Sequence, residues 1–206
     1  MPIAETDTVS NLLLRARGGD QAALERLFEV CRNYVNLLAQ AQAESWLQAK
    51  VDASDIAQQT MLEAYRDFAG FQGRTRAEWL AWLRRILARN VTDFIRQFRG
   101  GKRQINREVG LQNTASSANN LFEPADSAET PSQQLLARER ELLVADAVAR
   151  LSPDHREVIM LRNLQQLEFE EVARRMNRSR PAVQMLWMRA LAKLQELLPV
   201  ECQLSG

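Results

Sequence analysis

The sequence predicts an all-α protein made of two small helical domains joined by a flexible linker. In several segments the apolar residues recur at intervals of three and four, which is the period of a helix with one buried face. Only eight Gly and six Pro occur among 206 residues, so long stretches lack helix-breaking residues. Residues 104–132, rich in Asn, Ser, Ala and Gln, show little period and are predicted to be the linker. The domains are then residues 8–103 and 133–198.

The composition argues against several classes of protein. Hydrophobic residues make up 46% of the chain, enough for a buried core, and no apolar run approaches the roughly 18 residues that span a membrane. The first residues lack the basic start and apolar run of a secretory signal. Cys31 and Cys202 lie far apart, and CxxC, Cys–His and HExxH motifs are absent from the sequence. We therefore expect a cytoplasmic protein with no metal, no cofactor and no membrane contact.

The first domain begins with two predicted helices. Residues 8–18 form a short helix that ends at Gly18 and Gly19. Asp20 can then cap the second helix by accepting hydrogen bonds from exposed backbone N–H groups. Cys31 falls on the apolar face of this second helix, so we assign its thiol to the core.

A third helix is predicted to start at Asp52 or Ser54. Its apolar stripe runs from Ala57 to Phe68, and a separate stripe on the same helix is polar. The polar stripe consists of Asp55, Gln58, Gln59 and Glu63. The pattern alone does not exclude that these side chains are plain solvent-exposed surface.

The longest predicted helix runs from Trp79 towards Arg103 and combines an apolar stripe with a strongly basic one. The apolar stripe is Trp79, Trp82, Leu83, Ile86, Leu87, Val91, Phe94, Ile95 and Phe98. Between residues 84 and 107 there are eight Arg or Lys and one acid, Asp93, although the whole chain carries a net charge of only +1. Concentrated positive charge is typical of a surface that follows phosphates, and it is also found on solvated helix faces. Both interpretations stay open at this point.

The linker differs in charge from the helix before it. Between residues 108 and 133 there is no Lys or Arg, and the acids are Glu108, Glu123, Asp126 and Glu129. After the linker, helical periodicity returns from about residue 132 to Leu151. Ser152 and Pro153 then predict an N-cap and first position of another helix, since proline there loses no intrahelical bond.

The last part of the chain predicts a helix-turn-helix. The first helix is residues 169–176, the turn is residues 177–179, and the second helix runs from Arg180 to Leu194. Ala173 supplies the small residue that the crossing of the two helices needs. An inward stripe of Val183, Trp187, Ala190 and Leu194 leaves Arg180, Ala182, Gln184, Met185 and Met188 facing outward. Such a helix fits the major groove of DNA, and a purely structural hairpin is the alternative.

Five basic residues near the predicted hairpin could hold phosphates. They are Arg174, Arg175, Arg178, Arg189 and Lys193. Phosphate contacts position a protein on DNA without reading its sequence, and the outward face has few residues of the kind that usually read bases. Gln184 and Arg180 are the best candidates for base contacts.

These segments together resemble the sigma-70 family of bacterial RNA polymerase initiation factors, in its extracytoplasmic-function (ECF) subgroup. The matching motifs are DIAQQTMLEA at 55–64, WLAWLRRI at 79–86 followed by Asn90 and Asp93, LSP at 151–153, REV at 156–158 and FEEVA at 169–173. The resemblance covers about residues 10–100 and 135–198, and its specificity comes from the order and spacing of the motifs. The segments KVDASDIAQQT and GRTRAEWLAWLRRILARN also resemble variants from planctomycete-type bacteria.

The resemblance implies a division of labour along the chain. The first domain would be region 2, docking on the clamp of the polymerase β′ subunit through Asp55, Gln58, Gln59 and Glu63. Its basic helix would bind the minus-ten promoter element, as duplex and as separated strands, through Arg85, Arg89, Asn90, Arg96, Arg99, Lys102 and Arg103. The second domain would be region 4, which contacts the β flap and binds the minus-thirty-five element through Arg178, Ser179, Arg180, Ala182, Gln184, Met185 and Arg189. The acidic linker would thread into the polymerase, and an anti-sigma factor is a further expected partner.

Three aromatic or amide residues of the basic helix have two possible roles. Trp79 and Trp82 could stack on separated bases, but both lie on the apolar stripe, so we assign them to the core. Asn90 interrupts that stripe and is either a buried hydrogen-bonding residue or a base-contacting one. The resemblance favours the second role for Asn90.

The chain departs from the family pattern mainly in its second domain. Gln166 and Asn177 stand where the family usually has glycine, and Glu168 replaces the usual Ser or Thr cap. Pro181 replaces a small residue, and Met185 and Leu186 stand where polar or basic residues are more typical. The departures bear on the preferred promoter sequence, not on the fold.

Two other functions fit parts of the sequence. One is a two-domain DNA-binding regulator that never contacts polymerase, and the other is a helical interaction scaffold without a nucleic-acid role. We do not expect an enzyme, because His155 is the single histidine and has no cysteine near it in sequence. A phosphate-binding glycine loop and a nucleophile elbow are also missing from the sequence.

Overall fold

The computed structural model describes residues 8–42, 52–100 and 131–199, with backbone alone at 98–100 and 131–139. Within these ranges the regular structure is helical and contains no strand, which confirms the predicted all-α class. The chain divides into two compact units, one formed by helices before residue 100 and the other by helices after residue 131. The proposed linker, residues 104–132, falls almost entirely outside the described residues.

Within the described residues, the first unit contains four α-helices: α1 (Val9–Arg17), α2 (Gln21–Gln42), α3 (Ala53–Asp67) and α4 (Arg76–Gly100). A short 3-10 turn, Phe68–Gly70, follows α3. Asp20 caps α2 as predicted, since its Oδ1 accepts from the N–H of Ala23 at 3.0 Å. Of the two predicted starts for α3, Asp52 is the N-cap, and its side chain accepts from the N–H of Ser54 at 2.9 Å.

The core of the first unit is centred on Trp79, which is completely buried. Its indole Nε1 donates to Sγ of Cys31 at 3.2 Å, which links α4 to α2 and confirms that both residues belong to the core. The rings of Phe28 and Phe71 meet the indole edge-on, with centroids at 5.4 and 5.3 Å. Trp82 is half-buried and packs against Phe71 at 4.9 Å. Aromatic contacts of this kind add to the free energy gained by burying the rings.

A capping box fixes the start of α4. Oε2 of Glu78 accepts from the N–H groups of Arg74 and Thr75 at 2.8 and 2.9 Å, and Oγ1 of Thr75 accepts from the N–H of Glu78 at 3.2 Å. Gly73 lies beneath this arrangement, where a Cβ atom would come within 2.4 Å of the Phe71 ring. The capping box and the core around Trp79 therefore meet at a position that only glycine fits.

The second unit contains α5 (Pro131–Ala149), α6 (Pro153–Ile159), a π-helical turn (Met160–Leu164), α7 (Phe169–Arg175) and α8 (Arg180–Leu197). Pro153 stands in the first turn of α6 as predicted, but Ser152, at the N-cap position, makes no side-chain capping bond. The guanidinium of Arg156 instead donates to the carbonyl groups of Val148 and Ala149, at the end of α5, and to that of Leu151 just after it. Cationic side chains are favourable at helix C-termini, and this one joins α6 to α5.

Two non-glycine residues of the second unit adopt left-handed backbone conformations. The φ angle is 56° at Gln166, before α7, and 51° at Asn177, between α7 and α8. These are the two positions where the resemblance noted in the sequence leads one to expect glycine. Left-handed conformations cost non-glycine residues about 1–2 kcal/mol, and Asn tolerates them better than Gln.

We predict that the capping box makes the first unit sensitive to acid. Hydrogen bonds from Arg74 N–H, Thr75 N–H and the Thr75 hydroxyl hold the pKa of Glu78 below its usual value. The stabilisation by Glu78 is therefore complete above the pKa of the unfolded chain and is lost as the pH falls through the lower folded pKa. Glu78→Gln should lower the free energy of unfolding at neutral pH and flatten its loss on acidification. Urea unfolding at a series of pH values measures both, and Glu25→Gln on exposed α2 surface is the control. Parallel acid curves for wild type and Glu78→Gln would contradict the prediction.

We predict that the backbone strain at Gln166 can be relieved. Gln166→Gly and Gln166→Ala both remove the hydrogen bond from Nε2 to the carbonyl of Asn163, so their difference isolates the backbone. The glycine variant should be more stable than the alanine variant by about 1 kcal/mol. At Ala192, an exposed position within α8, the comparison should reverse. The protein with alanine there should be more stable than Ala192→Gly, because glycine destabilises a helix interior. Equal stability of the two Gln166 variants in thermal unfolding would refute the assignment of strain.

Candidate nucleic-acid interface

The polar stripe of α3 faces solvent for most of its length. Asp55, Gln58 and Gln59 are exposed, while Glu63 is only 22% exposed at its side chain and forms an ion pair with Arg89 of α4. Leu62 lies on the same face and is 46% exposed. The sequence reasoning missed Leu62, although its position four residues after Gln58 and off the buried stripe could have indicated it. Leu62 therefore adds one exposed apolar side chain to this otherwise polar face.

The basic stripe of α4 is also accessible. Arg85, Arg89 and Arg96 are all exposed, with side-chain exposures of 56% for Arg89 and 74% for Arg96. Arg96 lies 3.6 Å from the carboxylate of Asp93, and Arg89 pairs with Glu63. Exposed ion pairs contribute at most about 1 kcal/mol, so a phosphate group can replace these carboxylates at little cost. The stripe can therefore present three guanidinium groups to a nucleic acid.

Three predicted cations at the end of this stripe are not described. Arg99 belongs to α4, but its side chain lies outside the described residues, as do Lys102 and Arg103 entirely. Arg84, beside the stripe, has a structural contact: its Nη1 donates to the hydroxyl of the buried Tyr34 at 2.9 Å. The described part of the stripe is thus Arg85, Arg89 and Arg96.

Asn90 lies in the core and not on the basic face. It is 8% exposed, and its Nδ2 donates to Oγ1 of Thr60 at 3.1 Å. The Thr60 hydroxyl in turn donates to the carbonyl of Ile56 at 2.8 Å. Of the two roles considered for Asn90, its position supports the buried hydrogen-bonding role, and base contact, which the resemblance favoured, stays an untested prediction. We leave Asn90 out of the nucleic-acid surface because its amide is already paired inside the protein.

The helix-turn-helix is formed by α7, a turn and α8. Ala173 is 8% exposed at the packing of α7 on its neighbours, and Asn177 turns the chain in its left-handed conformation. Oγ of Ser179 accepts from the N–H of Ala182 at 3.4 Å and so caps α8. Val183 and Ala190 are completely buried, which fixes the face of α8 that points outward. The indole Nε1 of Trp187 donates to Oδ1 of Asn163 at 2.9 Å and holds α8 against the π-helical turn.

The predicted base- and phosphate-contacting side chains of α8 are accessible, but several are paired. Nη2 of Arg178 lies 2.5 Å from the carboxylate of Asp154, and Nη1 of Arg180 lies 3.1 Å from that of Glu170. Gln184 is half-buried. The residues that face solvent are Arg178, Ser179, Arg180, Ala182, Met185 and Arg189. Both pairs are exposed, so DNA can replace their carboxylates at little cost, as on α4.

The described residues give little indication of other chemistry. In the ranges that the structure covers, no group of three or more His, Cys, Asp or Glu side chains could hold a metal ion. The described helices include none that is long and apolar enough to cross a membrane.

We predict that Asn90 and Arg85 act on different properties of the protein. Asn90→Ala leaves the buried Thr60 hydroxyl without its donor and should reduce the free energy of unfolding by about 1–3 kcal/mol. Arg85→Ala should leave stability nearly unchanged and weaken binding to a single-stranded oligonucleotide, with a reduced dependence on salt. Chemical denaturation and fluorescence anisotropy measure the two properties. Weaker DNA binding by Asn90→Ala at unchanged stability would contradict the prediction and would show that Asn90 contributes to nucleic-acid binding.

Comparison with known families identifies the second unit. The family described as "Sigma-70, region 4" matches residues 141–194, which include α6, α7 and nearly all of α8. The match contains both helices of the helix-turn-helix and the arginines around it.

Named relatives extend the similarity to most of the chain. An ECF RNA polymerase sigma factor, BldN of Streptomyces coelicolor, is 28% identical over 202 residues, which are 96% of this chain and 69% of that protein. The ECF RNA polymerase sigma-E factor of Haemophilus influenzae is 27% identical over 174 residues, covering 83% and 85%. The RNA polymerase sigma factor CarQ of Myxococcus xanthus is 30% identical over 146 residues, covering 71% and 74%.

These similarities confirm the family that the motifs resembled, while the resemblance to planctomycete-type variants stays a prediction. They span both helical units, and the region 4 match falls on the helix-turn-helix. The chain belongs to the ECF subgroup of the sigma-70 family, the RNA polymerase sigma factors that bind core polymerase, recognise promoters and start transcription.

Proposed function

We propose that the first unit carries out two tasks on two adjacent helices, with α3 binding core polymerase and α4 binding the minus-ten promoter element. The observation that carries this proposal is the arrangement of exposed side chains on packed helices. The carboxylate and amide groups of α3 and the guanidinium groups of α4 reach solvent from helices joined by the Glu63–Arg89 ion pair. Residues 8–103 would then act as region 2.

The docking surface on α3 is proposed to contact the clamp of the β′ subunit. Its exposed members are Asp55, Gln58 and Gln59, with Leu62 between them and Glu63 at the edge. A charged rim steers association and sets specificity, and burying an apolar side chain against the partner contributes to affinity. Leu62 extends the docking surface beyond the residues that the motif suggested.

Strand opening at the minus-ten element needs no covalent chemistry from this chain. We propose that Arg85, Arg89 and Arg96 bind separated strands more tightly than duplex, so that differential affinity drives opening. Guanidinium groups pair with phosphates and also stack on unpaired bases, which favours the open form. The undescribed Arg99, Lys102 and Arg103 would extend this track. The role is binding and not catalysis.

The second unit, residues 133–198, is proposed to bind the minus-thirty-five element and the β flap. Support comes from the exposed outer face of α8, with Arg178 and Arg189 positioned to contact phosphates.

Residues 104–132 would lie in the polymerase channel, where acidic side chains can occupy a path built for nucleic acid. We also propose that an anti-sigma factor binds this protein and that the protein acts in the cytoplasm.

Transcription in vitro tests the proposal directly. Core polymerase with this protein should give run-off transcripts from members of a promoter library that core polymerase alone does not transcribe. Identical products in both reactions would exclude the role in initiation.

We predict that Asp55→Lys raises the Kd for core polymerase by about tenfold or more, because it reverses a charge on the docking surface. Asp55 lies in the first turn of α3, and losing its interaction with the helix dipole costs only about 0.3–1 kcal/mol, so the variant should fold. Asp67→Lys, at an exposed position in the last turn of α3, about three helical turns from Asp55, is the control. Anisotropy titrations with labelled protein measure both.

The same variants separate the proposal from a regulator that acts without polymerase. In that case Asp55→Lys would bind core polymerase no differently from Asp67→Lys, and promoter DNA binding would not require core polymerase. Either result would count against the docking role of α3.

A further inference from the structure

The face of α8 opposite the core is apolar along its centre. Pro181, Met185, Met188 and Ala192 recur at i, i+4, i+7 and i+11, and all four are exposed. Ala192 lies nine residues after the fully buried Val183, which is about two and a half helical turns and therefore the opposite side. Met185 is 51% exposed and Met188 is 58% exposed. We call these four residues the apolar line.

The polar groups near the apolar line lie beside it and not on it. Arg178 and Arg180 are paired with Asp154 and Glu170, and Lys193 is paired with Glu196 at 2.7 Å. Gln184 is half-buried on the flank. The centre of the outward face therefore offers methylene, methyl and thioether groups, of which the sulfur is only a weak acceptor. A helix of this kind is poorly suited to reading bases by hydrogen bonds.

The major groove contains one apolar group that distinguishes base pairs, the C5-methyl group of thymine. We propose that the apolar line reads thymine methyl groups, so that this sigma factor selects a minus-thirty-five element by the position of its thymines. The proposal rests on the proposed placement of α8 in the major groove. Met185 and Met188 would supply most of the contact, since flexible thioether chains adapt to irregular apolar surfaces.

A protein partner is the competing occupant of the apolar line. Met185 and Met188 are the exposed large hydrophobic side chains of the described second unit, and Pro181 and Ala192 are small. A stable protein interface buries about 800 Å² on each side, which a line one residue wide does not provide. The flanking exposed cations, Arg178, Arg180 and Arg189, are complementary to a phosphate backbone on both sides of a groove. DNA is therefore the occupant that the surface favours.

Deoxyuridine substitution tests the proposal, because uracil differs from thymine only by the missing methyl group. The holoenzyme is first used to select an active promoter from a random upstream library. Each thymine of the selected minus-thirty-five element is then replaced by deoxyuridine, on both strands, and the Kd of the holoenzyme is measured. At one or more positions the Kd should rise about fourfold, the factor expected for burying one methyl-sized group.

Variants assign the effect to the apolar line. Met185→Gln and Met188→Gln should each remove the sensitivity to deoxyuridine at one position, while Met185→Leu should keep it because a similar apolar volume remains. Leu14→Gln, an exposed apolar position in the first unit, should bind both DNAs as the unchanged protein does. Salt dependence should be the same for all four variants, because no phosphate contact is altered.

Three results would overturn the proposal. Neutral deoxyuridine at every position, with a holoenzyme that still initiates, would reject methyl reading and leave the sigma function intact. A change of oligomeric state in Met185→Gln or Met188→Gln, measured by light scattering and with unaltered methyl sensitivity, would assign the apolar line to a protein contact. A holoenzyme that initiates at no library promoter would reject the proposed function and this inference together.

Discussion

The burial of Trp79 fixes how α4 is oriented, and the functional assignments in the first unit depend on that orientation. Its indole donates to Cys31 of α2 and lies between the edges of Phe28 and Phe71, so α4 cannot rotate without breaking these contacts. Leu83, Leu87 and Val91 continue the buried face along the helix. Because one face is held in the core, the face that carries Arg85 and Arg89 must point to solvent. The aromatic cluster thus determines where the positive charge is displayed.

Packing of α3 on α4 brings the proposed polymerase and promoter surfaces next to each other. Inside the unit the two helices share the Asn90–Thr60 hydrogen bond, and at its surface they share the Glu63–Arg89 ion pair. A buried polar pair fixes the register of two helices, because a shift would leave both groups unsatisfied. Functional side chains on packed helices are held more firmly than side chains on loops. A factor that must contact polymerase and DNA at the same time benefits from such a platform.

Periodicity predicted the faces of the helices but not the partners across them. Local spacing and local chemistry predicted the cap at Asp20, which the structure confirms, and the buried faces of α4 and α8, which it confirms in part. Val183 and Ala190 of α8 are buried, whereas Trp187 is half-buried. The role of Asn90 depended on Thr60, 30 residues earlier, and the pairing of Arg178 depended on Asp154, 24 residues earlier. The place of Asn90 on the apolar stripe allowed burial, but the hydroxyl that pairs with its amide could not be found from local sequence. The capping box at Thr75 and Glu78 was visible in the sequence and was missed.

The second unit shows how a helix-turn-helix can keep its geometry while its contact surface changes. Gln166 and Asn177 retain left-handed backbones where the family usually has glycine, so the turn persists despite its less favourable residues. Val183, Ala190 and the Trp187–Asn163 hydrogen bond hold α8 in place from the inside. None of these contacts involves Met185 or Met188, which point away from the core. The outward residues of α8 are therefore free to change the preferred DNA sequence without changing how the helix is presented, and an apolar outer face is compatible with the fold of a sigma factor.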